Sequence, residues 1–170
     1  MRYVVIDTET TGLNPEKGDE IIEIAAVYII NDHIYQENAF STLINPNKKI
    51  PKKITDITGI TDDMVKGCPT IDKIIPQFID YIGNSPLIFH NAPFDLAFIN
   101  KALLNTGRNP LTNRIIDTLE ISREVFDENV SHSLDAVAKR LNIDIKIDRH
   151  RALGDVILTA KVFIKLVKLL

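Results

Sequence analysis

Four carboxylates and one histidine stand where their types and spacing could do chemistry. Asp7 and Glu9 sit two apart in Asp7-Thr8-Glu9-Thr10-Thr11-Gly12, Asp95 closes Asn91-Ala92-Pro93-Phe94-Asp95, and His150 lies ahead of Asp155 in His150-Arg151-Ala152-Leu153-Gly154-Asp155. Residues two apart on an extended strand project to the same side, so Asp7 and Glu9 can converge on one site. Two negative charges on one face repel unless a cation lies between them, and carboxylate oxygens suit a hard divalent ion. Taken singly, each residue has a plainer account. Asp7 would end a strand before a turn through Thr10-Thr11-Gly12-Leu13-Asn14-Pro15, Asp155 would cap a helix, and His150 would be a solvated loop residue.

The surrounding pattern sets these residues at the ends of core elements. Met1 to Ile6 is a short apolar, β-branched run that predicts a buried strand with Asp7 at its C-terminal edge. Glu20 to Ile30 and His33 to Ile44, joined by Asn31-Asp32, predict a hairpin. Thr61-Asp62-Asp63 predicts a helix start, and Thr70 to Ile82 a helix closed by Gly83-Asn84. Leu87-Ile88-Phe89 predicts a short buried strand delivering His90-Asn91, followed by a helix from Pro93 to Thr106. Ile115-Ile116 predicts a last strand, with Asp117-Thr118 opening a helix, and Ser133 to Leu141 a further amphipathic helix. From Gly154-Asp155 to Leu170 the chain is strongly apolar, with lysines at 161, 165 and 168 on one helical face. That pattern puts Asp155 in the first helical turn, favourably placed against the helix dipole, and His150 on the loop before it. A hairpin followed by strands separated by helices predicts an α/β fold, a mixed sheet covered by helices. Glu23 interrupts an apolar strand, so it either faces solvent or is buried with a partner. His33 and His132 read as surface or cap positions, and Asp117 as a cap.

At 170 residues, with 45% hydrophobic and 25% charged content, the composition predicts one globular domain over residues 1–170 with a sizeable core. No linker, repeat or low-complexity tract divides it. No apolar run reaches transmembrane length, and Asp7 follows the start too closely for a secretory signal. The single cysteine, Cys68, excludes an internal disulfide and has no partner cysteine for a zinc site. These features predict a cytoplasmic protein with no membrane partner. A net charge of −3 and a pI near 5.8 give no global basic footprint. Basic residues do cluster at Lys48, Lys49, Lys52 and Lys53, and Arg149 and Arg151 flank His150. The lysine run reads as a solvated loop or a weak phosphate-contacting edge, which predicts modest, salt-dependent affinity for nucleic acid and a partner or tethered domain that holds the chain on its substrate.

The Asp7-Thr8-Glu9 pair, His90-Asn91 with Asp95, and the His-x-Ala-x-x-Asp stretch from His150 to Asp155 occur in an order and at separations that resemble the DEDDh class of 3′-to-5′ exonucleases. This DnaQ-like group includes the DNA polymerase III epsilon subunit and the PolC-type exonuclease domain, and the resemblance covers essentially the whole chain. It implies a ribonuclease H-like fold with a mixed five-stranded sheet flanked by helices. It also implies two Mg2+ or Mn2+ ions held by Asp7, Glu9, Asp95 and Asp155, with Asp7 shared between them and His150 as general base. The implied reaction releases nucleoside 5′-monophosphates from the 3′ end of single-stranded or frayed DNA, in proofreading or repair, with a replicative DNA polymerase as protein partner.

Substrate contacts are implied at Thr8, along the backbone of Thr10-Thr11-Gly12, and at Leu13 as an apolar wedge. Asn91 would bond the sugar or cap the following helix, and Phe94 would stack on a base or belong to the core. In Thr58-Gly59-Ile60-Thr61, Thr58 stands where many bacterial proofreading subunits carry a histidine, and this segment is more similar to the PolC-type domain. An exoribonuclease of the same class uses the same ligands, because the distinction rests on contacts to a 2′-hydroxyl. A binding module that kept the fold without catalysis is the alternative from another class.

Overall fold

The computed structural model describes residues 1–127, 129–145 and 149–170. Its sheet contains β1 (Arg2–Thr10), β2 (Ile21–Ile30), β3 (His33–Leu43), β4 (Leu87–Phe89) and β5 (Ile115–Asp117), in the order β3-β2-β1-β4-β5. β1 runs antiparallel to β2 and parallel to β4, which in turn is parallel to β5, so the sheet is mixed. The β2–β3 hairpin turns through Asn31 and Asp32, both at positive φ (51° and 62°). A two-residue turn with that backbone matches the right-handed twist of the strands it joins, and Asn and Asp tolerate it better than other side chains.

β1 extends beyond its apolar run. Asp7 and Glu9 lie inside the strand rather than at its end, because β2 continues alongside and pairs Asp7 with Ala25 and Glu9 with Glu23. The period of two then decides what each residue meets. Val4 and Ile6 face one side, packed with Ile74, Phe78 and Ile82 of α3 (Ile71–Ile82) and with Phe98 and Ile99 of α4 (Ala92–Asn105). Val5 faces the other, with Val27, Ile88 and the Ala152, Val156, Ala160 and Phe163 stripe of α7 (Ala152–Leu166). Burial of each Val, Ile or Phe side chain among these is worth about 1.5–3 kcal/mol. With both faces covered, β2 is apolar almost throughout instead of alternating.

The remaining α-helices among the described residues are α1 (Lys52–Thr58), α2 (Asp62–Val65), α5 (Thr118–Val125) and α6 (Leu134–Arg140). Val137, Ala138 and Leu141 at α6 pack on Leu158, Val162 and Leu166 of α7, which fixes α7 from outside. Three boundaries differ from the sequence reading. Lys52 and Lys53 begin α1 instead of continuing a loop, and α1 is closed by Gly59 at φ 74°. α7 ends at Leu166 rather than Leu170. β1 continues to Thr10.

Candidate metal and nucleic-acid site

Asp7 and Glu9 share the odd-numbered face of β1 with Val5, the face that α7 covers, and Asp155 stands in the first turn of α7. One carboxylate oxygen from each of the three lies within 4.8 Å of the others. Thr8 belongs to the even face and turns toward α4. There its backbone N–H and hydroxyl both donate to Asp95 Oδ1, at 3.0 and 2.6 Å. Asp95 is therefore buried beside the group of three and held on the strand between its members, but it does not share their common point.

The local field is strongly negative. Burial, followed by the charges of Glu23 and Asp95, pushes the Glu9 carboxyl up to about 8 against the opposing effect of Arg149 and Arg151. Burial raises Asp95 to about 7 even though the Thr8 donors favour its ionised form. Asp7 is raised well above the usual carboxylate range by burial and then by Asp95 and Glu9. Asp7 Oδ2 is buried with no hydrogen-bond partner, a costly state for a carboxylate oxygen. An all-oxygen donor set of this charge, with one oxygen lacking a donor, fits a hard divalent cation such as Mg2+ or Mn2+.

His150 occupies the loop before α7, exposed and at φ 62°. Among the described residues, no hydrogen bond joins it to the carboxylates. Its two neighbours are anchored. Arg151 donates to both oxygens of Glu23 at 2.7 to 3.2 Å, and the Ala152 N–H donates to Glu23 Oε1 at 2.7 Å. Glu23 is thus the buried-with-a-partner case, and it caps α7 from β2 where Arg151, at the N-cap position, makes no side-chain cap bond. Arg149 Nε donates to Asp135 on α6, and the Arg149 guanidinium lies against Asp155. These anchors were not legible in the sequence, although an acid inside a run of β-formers and two arginines around a histidine were a signal for such pairing.

The residues around the ligands are mostly tied into the fold. Thr10 Oγ1 donates to the Gly12 carbonyl at 2.6 Å. Thr11 Oγ1 donates to Asp19 and accepts from the Glu20 N–H. Asp19 also accepts from the Asn14 N–H, so it braces the turn, and a Cβ on Gly12 would collide with its carboxylate. Leu13 at the tip is 83% exposed, free to meet a ligand. Phe94 is half-buried against the core, its ring 5.2 Å from Phe98.

Asn91 stands at the N-cap of α4 with φ 71°, but its side chain makes no cap bond. The capping role falls to Asp117, which accepts from the N–H groups of Asn91, Ala92 and Leu119 and so serves both α4 and α5. The exposed side chain of Asn91 is left at the rim. His132 is more embedded than a surface position. Its ring lies within hydrogen-bond distance of Ser122 and the Asp127 carbonyl, and its own carbonyl accepts from His90. Thr58 is buried, with its hydroxyl bound to the Ile54 carbonyl and the Ile60 N–H.

Residues 4–163 match the RNase T-type exonuclease family. The chain is 44% identical over 167 residues to a DNA polymerase III subunit epsilon-like protein of Rhodobacter capsulatus, covering 98% of this chain and 24% of that protein. It is 43% identical over 160 residues to a PolC-type DNA polymerase III of Clostridium perfringens, covering 94% of this chain and 11% of that protein. It therefore spans a quarter or less of these relatives. Among solved structures, exonuclease X in complex with 5′ overhanging duplex DNA superimposes with a TM-score of 0.79 at 29% identity, over 98% of this chain and 91% of that one.

Proposed function

Because this chain belongs to the RNase T-type exonuclease family, we propose that it is a metal-dependent 3′-to-5′ exonuclease acting on single-stranded or frayed DNA ends. The observation that carries this reading is the convergence of Asp7, Glu9 and Asp155 on one point, with Asp95 bound to the intervening Thr8. Asp7, Glu9 and Asp155 would hold one divalent cation, and Asp7 with Asp95 a second. Such ions, when bound, stabilise the charge that develops as water attacks the terminal phosphodiester.

The protein's own residues supply the rest. Thr8 fixes the Asp95 carboxylate, while Glu23 and Arg151 set the height of α7 and so place Asp155 over β1. His150 accepts a proton from the attacking water at an imidazole nitrogen. The new bond joins water oxygen to phosphorus, the bond to the 3′ oxygen of the preceding nucleotide breaks, and that oxygen takes up a proton from solvent. The products are a nucleoside 5′-monophosphate and a chain with a new 3′-hydroxyl. The exposed Leu13 and Asn91 flank the path of the chain end, Leu13 against the last bases and Asn91 near the sugar. Phe94 lines the same end of α4. The relatives are named as DNA polymerase III proteins, which supports association with a replicative polymerase, and in a proofreading role this chain would act as the catalytic domain.

Digestion of matched 5′-labelled single-stranded DNA and RNA with Mg2+ or Mn2+, with Asp155→Ala as control, tests the reading. Stepwise shortening of DNA, faster than RNA and absent from the variant, is expected. Faster loss of RNA would move the substrate class to RNA ends, and no cleavage of either would favour a binding module.

A further inference from the structure

We propose that Arg149 is the built-in counter-ion of the carboxylate group, and that a divalent cation enters by exchange against its guanidinium. The inference rests on the metal-site reading above. Arg149 has a side chain only 18% exposed, and it reaches two acids at once. Its Nε donates to Asp135 Oδ1 on α6, while a terminal guanidinium nitrogen lies against Oδ1 of Asp155, which is itself only 11% exposed. The other arginine of this loop is bound to both oxygens of Glu23, so the two guanidiniums are anchored to different elements.

Three carboxylates within 4.8 Å repel one another once ionised, and Arg149 supplies positive charge from within the chain. A compact divalent ion that takes Oδ1 of Asp155 must displace the guanidinium, because both cannot lie against that oxygen without repulsion. Asp135 provides a second acceptor, so Arg149 can withdraw from Asp155 while its Nε stays anchored. Arg149 therefore has two effects of opposite sign. It holds the carboxylates together in the metal-free protein, and it weakens their affinity for the cation that replaces it.

The test is calorimetric titration of the whole chain with Mg2+, without nucleic acid, at about pH 9, where proton competition for the carboxylates is least. Arg149→Gln is expected to bind Mg2+ about tenfold more tightly while melting at a lower temperature without metal, and Arg149→Lys to stay near the parent because the charge is kept. Asp135→Asn, which takes the charge off the alternative acceptor and so favours the guanidinium on Asp155, is expected to weaken Mg2+ binding severalfold. It provides a readout of opposite sign should Arg149→Gln fail to fold. Unchanged or weaker binding by Arg149→Gln overturns the proposal, as does tighter binding by Asp135→Asn. Failure of the parent chain to take up Mg2+ or Mn2+, with Asp155→Ala indistinguishable from it, would sink the metal-site reading itself.

Discussion

Glu9 and Asp95 hold protons well above the ordinary range for carboxylic acids, and this has a measurable consequence for the metal-free protein. The unfolded chain loses the Glu9 proton near its ordinary value of 4.5 and the Asp95 proton near 3.8, whereas the fold retains them up to about 8 and about 7. Between those limits the native state binds more protons than the unfolded state, so stability falls as pH rises. Thermal unfolding without metal should show its highest midpoint in mild acid and decline toward pH 8, and added Mg2+ should reverse the decline. A midpoint constant across this window would contradict it. Single side chains should also separate binding from turnover. Asp155→Ala should lose metal uptake and at least about a hundredfold in rate, since it removes a ligand. His150→Ala should lower kcat by about 10²–10⁴ with metal affinity intact, as measured by titration beside single-turnover kinetics.

At the scale of elements, the site depends on how α7 is docked against β1 and β2. Glu23→Gln should remove the charged grip on Arg151 and weaken the cap on Ala152, costing about 1–3 kcal/mol in denaturant unfolding. Metal affinity should fall with it, because the first turn of α7 carries Asp155. Unchanged metal affinity would show that Glu23 serves stability alone. Much of this arrangement was legible beforehand. The alternation of β1 foretold that Asp7 and Glu9 converge, the Asn31-Asp32 turn foretold the hairpin, and Thr61, Asp117 and Ser133 announced their helices through ordinary capping chemistry. Long-range electrostatic contacts were not legible, because nothing local encodes them. Glu23 meets Arg151 and Ala152 far along the chain, and Asp117 caps a helix that precedes it in sequence. The helix at Lys52–Thr58 also escaped, since its lysine-rich start at Pro51 has no side-chain cap to mark it.

At the scale of the whole molecule, a net charge of −3 leaves little to attract a polyanion beyond the site itself. For contacts to about two or three phosphates, KM for single-stranded DNA should rise with salt along a log–log slope no steeper than about 2. A steeper slope in steady-state kinetics would reveal an extended basic track. The sheet order has a further consequence. Its central strand brings Asp7 and Glu9 against a ligand that arrives with Asp155, after the β1–β2–β3 meander and β4 have been made. During synthesis on a ribosome, the emerging chain can pair its first strands early, yet it lacks a complete ligand set until residue 155 has left the tunnel and α7 has docked. The order of the chain thus makes metal uptake the last step in the assembly of this sheet, after its strands are in place.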